Sequence, residues 1–447
     1  MYDTIRQYQQ VIGALPVDDW HPPLTVRLWQ GLHPLSPGTA PMFVIQVALY
    51  AAGFGLIVAV LARTGRLRSA IAAAVLALSP LLLGWQMIVL KDQQMVGALL
   101  VAIGIVANYR LSGQKMPPWA VGVAALLVLY ATLLRANAVF MTAPLAVLLL
   151  PTRDRLLLSA FFAVVGAAGM LALTPLISHR VLGAEESGIA KTLPLFDLAG
   201  IAVRTPATSP SVFTSAERAQ LVNRHCVKSF FWDPLTDPAG CAGATDRVLQ
   251  QSARQLELEL VRAAAAHPLA YAGHRLAHWN STERWMVAPG LPEAGPPDEA
   301  EPNDAGLAGP ENAAATAWQD AAAAEVATPL GWPIVWTVVA VLLLPLAWRR
   351  RSEAAGSLAL ALIASAAALE ASFLAVSISS DMRYHLWPMT ASALALILLG
   401  NRIAWRSRWM ILSAGLLPVV IAAGAFTRAT LPLAPADFQA MLHAPSG

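Results

Sequence analysis

The sequence predicts an all-α protein that crosses a membrane many times and carries a mostly helical segment outside it. Hydrophobic residues make up 57% of the 447 residues and charged residues only 13%, whereas a soluble domain has about 25% charged residues. Long apolar stretches recur along the chain, and the charge of the loops between them alternates. Lipid is therefore the expected main solvent, which excludes a soluble enzyme, a disordered regulator and a small disulfide-stabilised protein.

Ten apolar segments are candidates for transmembrane helices, since a helix needs roughly 20 apolar residues to cross a bilayer. They are Met42–Ala62, Ala70–Leu90, Gln93–Tyr109, Pro118–Leu134, Ala136–Leu150, Leu156–Ile177, Leu330–Trp348, Ala354–Ile378, Leu386–Gly400 and Trp409–Thr427. Two of these, Ala136–Leu150 and Leu386–Gly400, are short, so each is tilted, bent back from the interface or not a true span.

The charged loops predict which face is cytoplasmic. One set of short loops holds thirteen cations: Arg63, Arg66, Arg68, Arg110, Lys115, Arg153, Arg155, Arg349, Arg350, Arg351, Arg402, Arg406 and Arg408. The opposite loops hold only Lys91, Arg135 and Arg383. The positive-inside rule places the richer set in the cytoplasm. We therefore expect an integral protein of a bacterial inner membrane, with its functional face on the periplasmic or extracytoplasmic side.

This topology divides the chain into five parts. They are a first outer loop with amphipathic helices (1–41), a six-span module (42–177), an extracytoplasmic segment (178–329), a four-span module (330–427) and an outer tail (428–447). The first loop lies outside with no helix before it. We expect that an upstream first helix is missing from this chain, rather than that a short tail is translocated.

The extracytoplasmic segment has the composition of a globular or loop region. Thr245–Trp285 is rich in helix-forming residues, and His267–Pro268 should break or kink that helix. Val287–Gly309 has the composition of a loop, and Ala313–Val326 that of a second helix.

Cys226 and Cys241 are the only cysteines, and both lie in the extracytoplasmic segment. An oxidising compartment favours a bridge between them over two unrelated thiols. Closing a loop of that size stabilises a fold by about 3 kcal/mol in the chain-entropy model.

Four clusters of charged residues fall on the same predicted outer face, where ionisable groups near lipid tend to be functional. They are Tyr2–Thr4 with Asp18–Leu24; Lys91–Asp92; Arg135–Asn137; and Ser377, Ser379, Ser380, Asp381, Arg383 and Tyr384. A helical bundle can bring such distant turns together around one cavity. Acids beside several cations suit a phosphate leaving group and a hydroxyl or amine that must lose a proton.

These motifs resemble those of the GT-C membrane glycosyltransferases, a group that includes the protein O-mannosyltransferases and the lipid A aminoarabinose transferases (family 39-like). Asp19–Leu24 resembles their His-Pro-Pro-Leu element, and Asp3 stands where they carry a first-loop acid. Lys91–Asp92, Arg135–Asn137 and Arg383–Tyr384 resemble three further family motifs, in matching order. Two departures are the absent first helix and the lack of the glutamate that neighbours the acid in many relatives.

The resemblance implies a GT-C-like fold and an inverting glycosyltransferase that uses a sugar linked to polyprenyl phosphate. Asp3 would be the base and Asp92 a second catalytic residue, with no metal or other cofactor required. Substrate-binding residues would be Asp19, His21, Lys91, Arg135, Asn137, Arg383 and Tyr384. The expected partners are the polyprenyl-phosphate sugar, an unidentified lipid, glycan or protein acceptor, and membrane lipids, but not nucleic acid.

Each candidate residue also has a purely structural interpretation. Asp3 can be a solvated terminal residue, and His21 can help two prolines to shape a loop. Lys91–Asp92 can be an interfacial pair, and Arg383 an interface anchor. Two further features stand apart from the motifs: Glu370 lies deep in a span without a nameable partner, and His274 and His278 have metal-ligand spacing on a helix, a weak signal alone.

Three other functions compete with glycosyl transfer. A transporter or flippase of lipid-linked sugars should carry charges near the middle of the membrane, where only Glu370 is found. An O-antigen ligase or polymerase type of enzyme would share the donor but have a different fold. A structural or assembly protein would bind a partner through its outer segment, and the occurrence of four charged turns on one face would then be a coincidence.

Overall fold

A computed structural model describes residues 2–147, 156–206, 208–209, 211–297, 302–307, 312–400, 408–435 and 438–443. Within these ranges the chain forms twenty α-helices and no strand, which confirms the all-helical class. The helices are α1 (Tyr2–Val11), α2 (Leu24–Leu32), α3 (Ala40–Arg63), α4 (Leu67–Ala77), α5 (Pro80–Gln86), α6 (Lys91–Leu111), α7 (Pro118–Leu133), α8 (Ala138–Ala146), α9 (Leu156–Leu176), α10 (Thr192–Ala202), α11 (Ser215–Asn223), α12 (Ala242–Leu249), α13 (Ala253–Ala266), α14 (Pro268–Thr282), α15 (Ala313–Ala327), α16 (Pro333–Arg349), α17 (Ala354–Val376), α18 (Leu386–Leu399), α19 (Arg408–Thr430) and α20 (Phe438–His443).

The chain folds into two compact units. The first consists of Met1–Glu186, Gly295–Glu370 and Arg383–Pro418, and the second of Ser187–Ala294, Ala371–Met382 and Val419–Gly447. The first unit contains most of the apolar helices. The second contains the shorter helices α10 to α14.

Four helices in the described ranges are long and apolar enough to cross a membrane: Ala40–Arg63, Lys91–Leu111, Leu157–Val181 and Ala354–Val376. A fifth results if the bent pair α4 and α5 counts as one span. Pro118–Leu133, Pro333–Arg349 and Gly415–Thr430 are apolar but shorter. The structure thus supports association with a membrane, whereas the count of ten spans is not confirmed. Several predicted features lie outside the described residues: 148–150 of the fifth span, parts of the 287–309 loop, and Arg153, Arg155, Arg402 and Arg406.

The predicted span Ala70–Leu90 is not one continuous helix. Helices α4 and α5 meet at a bend of 54°, because Pro80 has no N–H to continue α4 and Ser79 caps the new helix. The hydroxyl of Ser79 and the backbone N–H of Leu81 both donate to the carboxylate of Glu325, at 2.8–3.0 Å. The polar groups exposed by the break are therefore satisfied within the protein, as lipid would require.

Helices α3 and α6 pack closely because glycines lie between them. A Cβ at Gly53 would lie 2.8 Å from the backbone carbonyl carbon of Leu100, and one at Gly97 would lie 3.1 Å from the backbone nitrogen of Tyr50. Small residues allow this backbone approach in membrane helices. The contact holds the N-terminal turn of α6, which carries Lys91 and Asp92, against α3.

In the second unit, the predicted helix Thr245–Trp285 is divided into α12, α13 and α14. The break at His267–Pro268 was expected. The break before α13 follows from a capping box, in which Ser252 and Gln255 satisfy each other's backbone N–H. The expected disulfide is present: Cys226 and Cys241 are bonded, with their Cα atoms 5.9 Å apart.

Candidate active site

Asp3 lies at the centre of a group of ionisable side chains in the first unit. Its Oδ2 is 2.8 Å from Nη1 of Arg383 and 3.1 Å from Nζ of Lys91. Its Oδ1 is 3.5 Å from Nε2 of His21. The Asp3 side chain is only 13% exposed, so it is not a solvated terminal residue. These four residues come from the first helix, the loop after it, α6 and the turn before α18.

Helix α1 places Asp3 there because it is held at both ends. Near its start, the hydroxyl of Thr4 donates to the carbonyl of Val89 at 2.7 Å, in the loop that leads into α6. Further along, Tyr8 packs against Trp29 with ring centroids 5.3 Å apart. The polar face of α1 therefore turns toward the first residues of α6, and its apolar face toward α2.

The loop that leads into α6 is also fixed from α3. The side-chain amide of Gln46 donates to the carbonyls of Gln86 and Ile88 at 2.6 and 2.9 Å, and its oxygen accepts from the N–H of Leu90 at 3.3 Å. Gln46 is fully buried. Lys91 and Asp92 directly follow this hydrogen-bonded loop, so the loop holds their backbone in place.

Asp92 binds the second set of cations. Its Oδ1 accepts from Nη1 of Arg135, and its Oδ2 lies 4.0 Å from Nη1 of Arg383. Arg135 is held in turn by Asn137, which accepts from its Nε at 2.7 Å. The guanidinium of Arg135 also lies 3.6 Å from the ring centroid of Tyr384, a cation–π contact. Asp92 and its partners thus determine where Arg135 points.

Arg383 joins these two sets, since one of its nitrogens approaches both Asp3 and Asp92. We call Asp3, His21, Lys91, Asp92, Arg135 and Arg383 the ion cluster. These contacts confirm that residues of the four distant segments lie together, while an outer cavity around them stays a prediction. The roles assigned to the individual residues stay predictions.

The charge states within the ion cluster follow from burial and from neighbours. Burial raises the pKa of Asp3, but Arg383, Lys91 and His21 outweigh it and hold that pKa well below its usual range. Burial, followed by Lys91, lowers the pKa of His21 to about 3. Lys91 donates to Nδ1 of His21 at 3.2 Å, so the remaining proton of the neutral ring lies on Nε2, facing Asp3. Three cations against two carboxylates leave the cluster with one net positive charge near neutral pH.

Asp19 is the predicted site residue that the structure places elsewhere. Its Oδ2 lies 3.5 Å from Nε2 of His179, while the neighbouring Asp18 binds Arg6. Of that run, His21 is the residue that the structure shows beside Asp3. Asp18 is held in place by Gln10 at 3.0 Å as well, so this pair of acids shapes the loop that presents His21.

Two serines of the fourth sequence cluster bind within the second unit. Ser380 hydrogen-bonds to Ser281 and Thr282 at 3.1 and 3.2 Å, and the carbonyl of Ser377 accepts from Arg275. Of that cluster, Arg383 and Tyr384 are the residues that the structure brings into contact with the groups described above.

His274 and His278, which have metal-ligand spacing, contact separate partners in the second unit. Nε2 of His274 lies 3.2 Å from Oδ1 of Asp197, and Nδ1 of His278 donates to the carbonyl of Ser229 at 2.7 Å. Phe196 packs against both rings. In the described ranges, no group of three or more histidine, cysteine or acidic side chains is arranged to hold a metal ion. These histidines belong to the packed interior of this unit.

Sequence reasoning missed the partner of Glu370. Both of its carboxylate oxygens lie 2.9 Å from Nδ1 of His385. Glu370 is 2% exposed and His385 is fully buried. An acid inside a span requires a partner, and the histidine that directly follows Arg383–Tyr384 was a visible candidate.

The ion cluster can perform two kinds of chemistry at one place. Its cations can bind a phosphate through charge-assisted hydrogen bonds, and its more accessible carboxylate can take a proton. The Asp3 side chain is 13% exposed, whereas that of Asp92 is fully buried, so Asp3 is the more accessible of the two acids. No family model, curated protein or solved structure matches the chain.

Proposed function

We propose that the protein is a membrane glycosyltransferase of GT-C type that transfers a sugar from a polyprenyl-phosphate donor to an extracytoplasmic acceptor, with inversion at the anomeric carbon. The observation that carries the proposal is the ion cluster, which places its more accessible carboxylate against Lys91 and Arg383. The resemblance of its motifs to those of such enzymes supports it. The active site would lie on the extracytoplasmic face of a bacterial inner membrane.

The charge of the ion cluster favours one class of donor. A sugar linked through a single phosphodiester carries one negative charge, which would neutralise the net positive charge of the cluster. A diphosphate-linked sugar carries two and would leave an excess negative charge in a largely buried site, where an uncompensated charge is costly. A monophosphate donor therefore fits better.

In the reaction, the acceptor hydroxyl or amine attacks the anomeric carbon while the bond between that carbon and the phosphate oxygen breaks. The proton of the nucleophile passes to Asp3, and polyprenyl phosphate leaves as an anion held by Arg383 and Lys91. Oδ1 of Asp3 suits the base, because His21 approaches it only at 3.5 Å, whereas Oδ2 binds two cations. Asp92 keeps Arg135 and Arg383 oriented.

Donor binding should also activate the base. In the structure, Arg383 and Lys91 lower the pKa of Asp3, and a carboxylate so stabilised is a weak proton acceptor. A phosphate that draws these cations to itself removes part of this stabilisation. The pKa of Asp3 then rises toward the working pH, where general bases are most effective. Asp3 therefore becomes an effective proton acceptor only when the donor is bound.

The test is transfer of a radiolabelled sugar from undecaprenyl phosphate in proteoliposomes, with a panel of donor sugars and with lipid, glycan and peptide acceptors. The matched comparison is the same panel linked through diphosphate. Transfer from a monophosphate donor that depends on Asp3 supports the proposal. Movement of an intact lipid-linked sugar across the bilayer, without transfer, favours the transporter instead. Transfer only from diphosphate donors would contradict the charge argument and favour a ligase or polymerase type of enzyme.

A further inference from the structure

We propose that Glu370 and His385 form a buried positioning pair, which holds the turn that carries Arg383 and thereby determines the affinity of the ion cluster for phosphate. This rests on the proposed function, and it assigns a role to two residues that the reaction itself does not use.

The first step of the argument is the geometry of the turn. Met382–His385 forms a 3₁₀ turn immediately before α18. A 3₁₀ helix has three residues per turn, so successive side chains point about 120° apart. Arg383 contacts Asp3, Tyr384 contacts Arg135 and His385 contacts Glu370. The three side chains therefore anchor the turn from three different sides.

The second step is the strength of the anchor. Two of the three contacts, those of Arg383 and Tyr384, are with groups that a phosphate would disturb on binding. The third is with Glu370, whose carboxylate shares the Nδ1 proton of His385 between two oxygens at 2.9 Å each. Both side chains are at most 3% exposed. A buried pair of ionisable side chains joined by hydrogen bonds loses much if it separates, because both partners are then left unsatisfied.

The third step is the rigidity of the helix that carries Glu370. Ser365, five residues earlier on α17, accepts from the indole N–H of Trp387 at 2.9 Å and donates to the carbonyl of Met141 at 2.7 Å. All of these side chains are buried. Helix α17 thus holds α18 at two points: Glu370 binds His385, just before α18 begins, and Ser365 binds Trp387 in its first turn.

This arrangement supplies a matched control. Ser365→Ala removes a buried hydrogen bond between α17 and α18, as Glu370→Gln weakens one, but that bond reaches Trp387 within α18 and not the turn that carries Arg383. Both variants should lower the melting temperature. Only the loss of the Glu370–His385 pair should alter the orientation of Arg383.

The first experiment does not depend on the function. Phenylglyoxal modifies accessible arginines, and mass spectrometry of peptides measures the rate at Arg383, whose side chain is 9% exposed. We expect slow modification in the unsubstituted protein and in Ser365→Ala, and faster modification in Glu370→Gln and His385→Gln. The double variant should be no faster than either single variant, since the two residues act through one contact. Unchanged modification of Arg383 in both single variants would overturn the proposal.

The second experiment measures binding of undecaprenyl phosphate to the purified full chain in detergent. Losing one hydrogen bond to a charged group changes an equilibrium constant by about tenfold or more, so Glu370→Gln and His385→Gln should raise the Kd by about tenfold or more. Ser365→Ala should leave it within about twofold. Glu370→Asp, which keeps the charge but shortens the side chain, should lie between, and it takes the place of Glu370→Gln if that variant does not fold.

The two experiments separate the two proposals. If Arg383→Ala leaves the Kd unchanged, the proposed phosphate site is wrong, and the modification rates alone decide whether the pair positions Arg383. If Arg383→Ala weakens binding while Glu370→Gln and His385→Gln do not, the phosphate site stands and the positioning pair is wrong. If Ser365→Ala weakens binding as much as they do, the effect is general destabilisation, and the positioning role is again rejected.

Discussion

Replacing Asp3 with asparagine should separate donor binding from turnover, because Asp3 has opposite effects on the two. The amide keeps the size of the side chain and an oxygen that can accept from Lys91 or Arg383. It removes the proton acceptor, and loss of a general base lowers turnover by about 10²–10⁴. It also removes one of the two negative charges that compete with a phosphate for the same cations.

The gain in binding can be worked from the distances. Oδ2 of Asp3 lies 2.8 and 3.1 Å from the two cationic nitrogens, so a phosphate oxygen on their other side would lie roughly 6 Å from it. Two like charges at that distance repel by about 1–3 kcal/mol for effective dielectric constants between water and a protein surface. Asp3→Asn should therefore lower the Kd for undecaprenyl phosphate by about 5-fold to about 100-fold.

The assay combines the proteoliposome transfer rate with the Kd in detergent. Asp18→Asn is the matched control, since Asp18 is also a buried acid paired with an arginine but lies outside the ion cluster. It should lower the melting temperature without tightening binding. A normal transfer rate in Asp3→Asn would show that Asp3 is not the base. A fall in both turnover and affinity, together with lower stability, would make Asp3 a structural ion-pair partner.

Four further outcomes are expected. Arg383→Ala should weaken donor binding and lower turnover. Arg383→Lys should restore only part of the binding and turnover in the same assays, because an ammonium group cannot form the paired hydrogen bonds of a guanidinium. Thermal unfolding should show that the free energy of unfolding decreases as the pH is lowered from about 6.5 toward about 3. Over this range His21 takes up a proton in the unfolded chain but stays neutral in the folded protein, where its pKa is about 3. Each pH unit then costs about 1.4 kcal/mol of stability, and His21→Gln should reduce this dependence on pH. Gly53→Leu should lower the melting temperature by forcing α3 away from α6, whereas an exposed glycine such as Gly113→Asn should not. Mass spectrometry of non-reduced peptides should recover Cys226 linked to Cys241, and free thiols at both positions would contradict this.

The convergence of the charged turns was predictable, because all four follow or precede apolar segments at one face of an expected bundle. Which residues of each turn enter the ion cluster was not. Asp19 and His21 are two positions apart, yet His21 lies beside Asp3 and Asp19 beside His179, since the bonds of Asp18 with Arg6 and Gln10 determine how the loop turns. Such contacts between a loop and a neighbouring helix leave no periodic signal.

The helices themselves show which sequence signals were sufficient. The proline of His267–Pro268 predicted the helix break there. The proline of Ser79–Pro80 and the capping box at Ser252 are equally visible in the sequence and could have predicted the other two breaks. The number of spans was less accessible. Apolar composition shows that a segment can be a membrane helix but not where the helix ends, and helices α7, α16 and α18 are only 16, 17 and 14 residues long.

The helix Leu157–Val181, which is long and apolar enough to cross a membrane, has a consequence for how related sequences should diverge. Only 6% of its most apolar stretch is buried by the rest of the described protein, so in a membrane lipid would be its main neighbour. Lipid tails accept leucine, phenylalanine, valine or isoleucine about equally, and selection acting on stability would barely register exchanges among them. The first turn of α6, in contrast, is enclosed on all sides. Among homologues, the helix Leu157–Val181 should therefore accumulate apolar substitutions fastest, while Lys91–Asp92 remains fixed.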